Sequence, residues 1–219
     1  MVSQIRTVCF DLDDTLCDSE NAEEGRLRRA LQPLAQKLPT YLLEDLVDRA
    51  LTVDPTHGRL VTLISEVGIT DPAVMDEAYD IYDATVDEVQ LFPEAEDVLQ
   101  HLSRRFPLVL IGNGDTKEQR NKIRHLGIEK YFKHILIGQE EGAYKPDLEM
   151  YKRAFAKAGV QPDEMLFVGD RIDEDVRGPK EAGSPAVWVA RGLVRSVPGA
   201  VQPDYTISSL RDLLRILEV

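Results

Sequence analysis

The 219-residue sequence has little cysteine, no clustered histidine and no long apolar run. Its two cysteines, Cys9 and Cys17, are too few for a disulfide framework, which favours a reducing compartment. The histidines are scattered, and no cysteine–histidine group has the spacing of a zinc site. No segment approaches the roughly 18 apolar residues of a membrane span, and no basic-then-apolar leader precedes the first predicted strand. We therefore expect a cytoplasmic protein.

Positive charge is also scarce, because 26 lysines and arginines stand against 39 aspartates and glutamates, for a formal net charge of −13. Nucleic acids and anionic membranes both require clusters of lysine and arginine, so neither is expected as a partner. A small phosphorylated molecule is compatible with this charge, since a bound cation and a few local basic groups suffice to hold it. The oligomeric state is not predicted.

Residues 8–16 organise the chain. A short apolar run that ends at Phe10 predicts a buried strand. Asp11 and Asp13 follow at its carboxyl end, where open α/β sheets place their ligands. In an extended segment both side chains point the same way, and two such carboxylates repel unless a cation or a shared proton lies between them. A hard cation such as Mg²⁺ is the simplest solution, although Asp-x-Asp is also a common loop and helix-cap pattern.

The hydrophobic pattern divides the chain into two parts. Residues 17–91 carry apolar residues at helical spacing without a convincing strand, and Pro33 weakens or kinks the first helix. From residue 92 onward helices alternate with short apolar strands, which predicts a doubly wound parallel sheet of the α/β class. We predict a core of residues 1–16 and 92–219, with an all-helical cap of residues 17–91 inserted after the first strand.

Several core elements have recognisable end signals. Thr116 and Gln119 fit a capping box that begins one helix, and Asp147 caps another helix, which Gly159 ends. The predicted strands after the first are 108–111, 135–137, 165–168, 186–189 and, at the edge of the sheet, 205–207.

Polar residues follow four of the predicted strands. In a parallel sheet the carboxyl ends of the strands lie along one edge, so residues that are distant in the sequence converge there. The converging residues are Asp11 with Asp13, Asn113, Lys145 and Asp170.

This set resembles the haloacid dehalogenase (HAD) superfamily, specifically its phosphatase-like members with a helical cap after the first motif. Asp11-Leu-Asp-Asp-Thr-Leu16 matches the first motif and Lys145-Pro146-Asp147 the third. Gly169-Asp170 followed by Asp175 matches the fourth. The resemblance covers essentially the whole chain. It implies a Rossmann-like core and Mg²⁺-dependent hydrolysis of small phosphomonoesters.

The resemblance also implies a role for each matching residue. Asp11 would be the nucleophile that forms an aspartyl-phosphate, and Asp13 the general acid that later acts as the base. Lys145 would hold Asp11 and the phosphoryl group by charge. Mg²⁺ would bind an Asp11 oxygen, the Asp13 backbone carbonyl and Asp170, with Asp175 behind these ligands or bound through water.

The phosphate loop is expected at Gly112, Asn113 and Gly114, whose amides and side chain would cradle phosphate oxygens. One position departs from the family pattern, because most members have serine or threonine where this chain has Gly112. Loss of that hydroxyl predicts weaker activity, by about 1–3 kcal/mol for one hydrogen bond. The Thr116 side chain is a better candidate for a helix cap than for a replacement of the missing hydroxyl.

Two further groups of charged residues receive no catalytic role. Asp173 and Glu174 are interpreted as complements of a helix N-terminus. The arginines of the predicted cap are candidates for substrate contact, although charged helix faces are usually only solvated, and none is preferred. They are Arg26, Arg28, Arg29 and Arg59.

Three alternative functions compete with a phosphatase. Asp13 argues against a dehalogenase, because displacing halide needs no acid for the leaving group. A phosphomutase would have to retain and turn a phosphorylated product, and no residue indicates this. A binding or regulatory protein with little turnover is supported by Gly112 alone.

Overall fold

The structure, a computed structural model, describes residues 4–52, 59–191 and 201–219. Within these ranges the strands are β1 (Thr7–Phe10), β2 (Cys17–Asp18), β3 (Gln90–Leu91), β4 (Leu108–Gly112), β5 (Phe132–Ile137), β6 (Met165–Gly169), β7 (Ala186–Val189) and β8 (Tyr205–Ile207). Six of them form one parallel sheet in the order β5-β4-β1-β6-β7-β8. The predicted doubly wound α/β sheet is confirmed.

The three central strands are buried along their whole length, as expected for a parallel sheet that is covered on both faces. Alternate residues point to opposite faces and join separate apolar clusters. Phe10, Leu110 and Val168 belong to one cluster, and Cys9, Val109 and Phe167 to the other. The continuous apolar runs that predicted these strands therefore reflect burial on both sides.

The segment 17–91, which we call the cap, contains the helices α1 (Glu20–Ala30), α2 (Thr40–Thr52), α3 (Arg59–Glu66) and α4 (Pro72–Ala84). These helices pack around an apolar cluster of their own, in which Leu34, Leu46 and Ile64 are fully buried. Pro33, which predicted a weakened or kinked first helix, lies in a short 3₁₀ helix that follows the end of α1 at Ala30. The boundaries of the cap as a separate domain stay a prediction.

The cap is not all-helical, because β2 and β3 pair antiparallel at its two ends. Each strand has only two residues, which is too short for an alternating pattern to show in the sequence. This small ribbon joins the two points at which the chain passes between the cap and the core.

The core helices are α5 (Ala95–Ser103), α6 (Thr116–His125), α7 (Gly138–Glu141), α8 (Leu148–Ala158), α9 (Gly178–Glu181) and α10 (Asp212–Ile216). The predicted ends of α8 are confirmed, with Asp147 as the N-cap and Gly159 in the left-handed conformation. The predicted capping box of α6 is wrong. Its N-cap is Asp115, whose carboxylate accepts a hydrogen bond from the Lys117 amide at 3.0 Å, so Thr116 is already the first helical residue.

No helix among the described residues combines the length and the apolar composition needed to cross a membrane.

Candidate active site

The site lies at the carboxyl ends of three neighbouring strands. β1 lies between β4 and β6, with Phe10 in register with both Leu110 and Val168. The amide of Asp11 continues this pairing by donating to the carbonyl oxygen of Val168 at 3.0 Å. The residues that leave these strands are consequently side by side, as the sequence predicted for parallel strands.

Lys145 is buried at the centre of the acidic group. Its Nζ lies 2.6 Å from Asp11 Oδ1 and 2.7 Å from Asp175 Oδ1. The Asn113 side chain holds the backbone of this lysine, since its Oδ1 accepts from the Lys145 amide and its Nδ2 donates to the Lys145 carbonyl, both at 2.8 Å. Nδ2 also lies 2.8 Å from Glu174 Oε2. Asn113 therefore fixes the backbone at Lys145. Its contact with a phosphate oxygen stays a prediction from the sequence.

Three carboxylates gather beside this lysine. Asp11, Asp170 and Asp175 each present one oxygen, and these oxygens all lie within 4.8 Å of one another. Burial, reinforced by the neighbouring carboxylates and opposed by Lys145, raises the pKa of Asp11 to about 7 and the pKa of Asp170 to about 8. One lysine among three carboxylates leaves an excess of negative charge, and such an oxygen-rich site fits a hard divalent cation.

Two small residues shape this acidic cluster. The Thr15 hydroxyl donates to Asp170 Oδ1 at 3.2 Å. A Cβ at Gly169 would lie 2.2 Å from Asp175 Cγ, so the close approach of Asp175 requires glycine there. The other oxygen of Asp175 accepts from the Arg171 amide at 3.1 Å, which fixes the carboxylate between backbone and lysine.

Asp13 has a different environment, because α6 and the start of the cap supply its hydrogen-bond donors. Lys122 Nζ lies 2.6 Å from its Oδ1, Gln119 Nε2 lies 2.9 Å from its Oδ2, and the Ser19 hydroxyl also donates to Oδ1. Burial acts to raise the pKa of Asp13, but Lys122 and the hydrogen bonds outweigh it and lower this pKa to about 2. Within the first motif, the pKa of Asp11 is thus raised while the pKa of Asp13 is lowered.

The last residue of β4 and the loop that follows it each have glycine for a structural reason. Gly114 has a φ of +120°, which L side chains rarely adopt. A Cβ at Gly112 would lie 2.8 Å from Oε1 of Gln119, the residue that reaches Asp13. The missing side chain at position 112 therefore makes room for Gln119.

Sequence reasoning missed several residues of the site, namely Ser19, Gln119, Lys122 and Glu174. Gln119 and Lys122 are buried on the face of α6 that also carries Ile123. Helical spacing places these three residues together, but with one apolar member the pattern gave no signal of a buried face. Glu174 was interpreted as a helix-end charge, whereas its carboxylate also binds Asn113 and Arg171.

Asp14, the third aspartate of the first motif, binds the start of the cap. Its backbone is left-handed, with a φ of 59°. Its Oδ1 accepts from the amides of Ser19 and Glu20 at 3.0 Å and 2.8 Å, at the N-terminus of α1. Burial raises the pKa of Asp14 to about 6. The motif thus links the start of the cap to the end of β1.

A cavity of about 550 Å³ lies between the core and the cap and reaches Asp11 and Asp13. Residues of α1 and α4 on its cap side include Glu20, Asn21, Glu23, Glu24, Arg26 and Tyr82. Of the cap arginines, Arg28 pairs with Glu24 and Glu44, and Arg29 with Glu88. The Arg59 side chain lies outside what the structure describes. Arg26 is thus the one of the four that is seen in the cavity wall.

Comparison with known proteins gives consistent matches. A family model of haloacid dehalogenase-like hydrolases matches residues 5–183. The chain is 30% identical to a glyceraldehyde 3-phosphate phosphatase of Methanopyrus kandleri, over 97% of each chain. It is 27% identical to an N-acylneuraminate-9-phosphatase of Mus musculus, over 99% of this chain and 95% of that one. The crystal structure of a putative HAD-hydrolase of Bacillus subtilis, described as bound to magnesium, has the same fold, with a TM-score of 0.78 at 24% identity and coverage of 98% and 99%.

Proposed function

The chain belongs to the haloacid dehalogenase-like hydrolase family and is a phosphatase, and we propose that it hydrolyses small phosphomonoesters with Mg²⁺ through an aspartyl-phosphate on Asp11. The observation that carries this proposal is the buried cluster at the strand ends, in which Lys145 contacts both Asp11 and Asp175 and Asp170 completes an oxygen-rich group. A cavity of about 550 Å³ above the cluster has the size of a small-molecule site.

The donor set supports Mg²⁺ as the cofactor. Asp11, Asp170 and the Asp13 backbone carbonyl would hold the ion, and Asp175 would support them from behind Lys145. Asp11, Asp170 and Asp175 each offer a carboxylate oxygen, which is the ligand type that Mg²⁺ prefers. When bound, the ion neutralises negative charge on the phosphoryl group during transfer.

Asp11 would attack phosphorus while the bond from phosphorus to the leaving oxygen breaks. Lys145 binds Asp11 Oδ1 at 2.6 Å and so fixes the orientation of the carboxylate. The same ammonium group also places positive charge next to the phosphoryl oxygens. Asn113 keeps this lysine in place through two backbone hydrogen bonds of 2.8 Å.

Asp13 would give a proton to the leaving oxygen and then take one from the water that hydrolyses the aspartyl-phosphate. The donors around Asp13 favour its ionised form, which is the form needed to accept the proton of that water. The negative charge of an incoming phosphate opposes ionisation of Asp13 and so favours the protonated form for the first step. A carboxylate in this position fits an oxygen leaving group better than a halide.

The substrate is proposed to be a small phosphorylated metabolite. Relatives that match almost the whole chain are named for glyceraldehyde 3-phosphate and for N-acylneuraminate 9-phosphate, which supports a substrate of this size. Gly112 is the observation that favours a second candidate, a family member with little turnover, because a hydroxyl near the phosphoryl group is missing.

The test is release of phosphate from p-nitrophenyl phosphate and from a panel of metabolite phosphates, with Mg²⁺ and with chelator. We expect release that requires Mg²⁺ and that Asp11→Asn abolishes. Asp173→Asn is the matched control, because Asp173 is an exposed aspartate on the segment after β6 and binds Arg177. Full activity of Asp11→Asn would refute the aspartyl-phosphate, and no release from any ester would favour the low-turnover candidate.

A further inference from the structure

A chain of buried charges connects the cap to Asp13. Lys122 Nζ lies 2.6 Å from Asp13 Oδ1 and 3.5 Å from Glu118 Oε1. The same Glu118 oxygen lies 3.0 Å from Arg26 Nη2. The exposed fractions of these side chains are 3% for Lys122, 12% for Glu118 and 1% for Arg26, so water screens the two pairs of Glu118 only weakly. Asp13 is 32% exposed, so water reaches the Lys122–Asp13 pair from the side of the cavity.

Arg26 is attached to the cap on several sides. Its guanidinium carbon lies 4.0 Å from the centre of the Tyr82 ring, and Nη2 donates to the Tyr82 carbonyl at 3.3 Å. Nη1 lies 3.4 Å from Glu23 Oε2, and the Tyr82 hydroxyl donates to the same carboxylate. Arg26 therefore stays with α1 and α4, and its contact with Glu118 on α6 is made across the boundary between cap and core.

The burial of Arg26 and Lys122 costs free energy that their ion pairs must offset. An arginine or lysine in the interior costs free energy unless its charge is paired, and here each cation lies between two carboxylates. Lys122 has a long flexible side chain, which one partner alone would leave mobile. With Glu118 on one side and Asp13 on the other, its ammonium group has a defined position.

We propose that Lys122 is the positioning residue of Asp13, and that the Arg26–Glu118 ion pair holds Lys122 in place when the cap is seated on the core. The inference rests on the proposed function, because it gives Asp13 the role of general acid and base. With the cap in the observed position, the ion pair between Arg26 and Glu118 orients, through Lys122, the group that protonates the leaving oxygen. Displacements of the order of 1 Å at such a group cost about 100-fold in rate.

The consequence can be separated from a general loss of structure. The parameter kcat/KM reports the steps up to release of the alcohol or phenol, so it contains the proton donated by Asp13 but excludes hydrolysis of the aspartyl-phosphate. p-Nitrophenolate leaves readily without a proton. Phenolate is a poorer leaving group, so its departure depends more strongly on protonation. A misplaced acid must therefore reduce kcat/KM for phenyl phosphate more than for p-nitrophenyl phosphate.

The experiment measures kcat/KM for both esters, at saturating Mg²⁺, in the full-length chain and its variants. We expect Lys122→Met to lower the ratio of phenyl to p-nitrophenyl phosphate roughly 10- to 100-fold. Glu118→Gln, which keeps the shape of the side chain, should lower the ratio in the same direction, and Lys122→Arg should restore part of it. Arg124→Met is the matched control, because it removes an exposed cation from the same helix.

The cap contribution is tested by combining variants. Arg26→Met should lower the ratio on its own but have no further effect on it in the Lys122→Met background, because Arg26 acts through Lys122. If Lys122→Met or Arg26→Met fails to fold, Glu118→Gln decides, since it breaks both ion pairs without a change of volume.

The inference would be overturned if kcat/KM fell equally for the two esters in Glu118→Gln and in every other folded variant, or if it fell in none of them. Either result would leave the proposed function intact. Absence of any Mg²⁺-dependent release by the unsubstituted protein would instead overturn the proposed function, and the inference with it.

Discussion

The acidic cluster predicts how the stability of the metal-free protein depends on pH. Burial raises the pKa of Asp11 to about 7 and the pKa of Asp170 to about 8. A carboxyl group whose pKa is higher in the folded than in the unfolded chain binds its proton more tightly in the folded state. The free energy of unfolding therefore falls as the pH rises from about 4, the unfolded value, through the two folded values.

The size of this effect follows from the number of protons involved. One additional proton bound by the folded state changes the free energy of unfolding by about 1.4 kcal/mol per pH unit. Asp11 and Asp170 repel each other and therefore titrate as a pair, so we count one net proton for this pair between about pH 5.5 and 7.5. The loss is then about 3 kcal/mol, or about 6–12 °C in melting temperature for a chain of this length.

Mg²⁺ should reverse this loss, because it binds the ionised carboxylates. Its stabilising effect grows as protons cease to compete for the same oxygens, so the increase in melting temperature should be larger at pH 7.5 than at pH 5.5. The assay is thermal unfolding followed by circular dichroism, in chelator and in excess Mg²⁺, at several pH values in this window.

Two variants identify the groups responsible. Asp170→Asn removes one of the two charges and should flatten the pH dependence of the metal-free protein, while it weakens the response to Mg²⁺. Asp173→Asn, an exposed neighbour, should leave both unchanged. A metal-free melting temperature that stays level or rises between pH 5.5 and 7.5, with Asp170→Asn following the same curve, would refute the reasoning.

Two further predictions concern the cluster and the cavity. Gly169→Ala places a Cβ 2.2 Å from Asp175 Cγ, so we expect the free energy of unfolding in urea to fall by about 1–3 kcal/mol and the activity to fall more than tenfold. Gly159→Ala is the control, because it strains only the backbone and should therefore lower stability but not activity. Equal activity in the two variants would contradict the clash. Because Glu20, Glu23 and Glu24 line the cap side, kcat/KM for glycerol 3-phosphate should exceed that for 3-phosphoglycerate by at least about tenfold, and the reverse order would contradict this charge argument.

The elements that could be predicted from the sequence are those with strong local signals. The runs that end at Phe10, at Ile111 and at Val168 are apolar and short, and the structure buries all three strands on both faces. Parallel direction alone places Asp11 and Asp170 along one edge of the sheet, as predicted. Their position side by side depends on the strand order, in which β1 and β6 are neighbours, and this order was not predicted.

The elements that were missed depend on contacts between distant parts of the chain. The signals for a capping box at Thr116 were present, but Asp115 fits the N-cap geometry better and takes that position. Gln119 is then no longer needed for capping, and its side chain reaches Asp13. Lys122 follows on the same face of α6, where a polar sequence gives no periodic signal of burial. One partner of the buried Lys122 is Asp13, more than a hundred residues away in the sequence.

The departure at Gly112 and the unexpected position of Gln119 are two aspects of one feature. A Cβ at position 112 would lie 2.8 Å from Gln119 Oε1, so a side chain there and the present Gln119 conformation compete for the same space. Gln119 uses that space to donate to Asp13 at 2.9 Å. In family members with serine or threonine at this position, the hydroxyl would bind the phosphoryl group. This chain instead has a hydrogen bond from Gln119 to Asp13, the proposed acid and base. Position 112 thus has a structural reason to be glycine, because the space that the missing side chain leaves is used to position the proposed acid and base. Gly112 therefore gives weaker support to a low-turnover protein than it does when the sequence is considered alone.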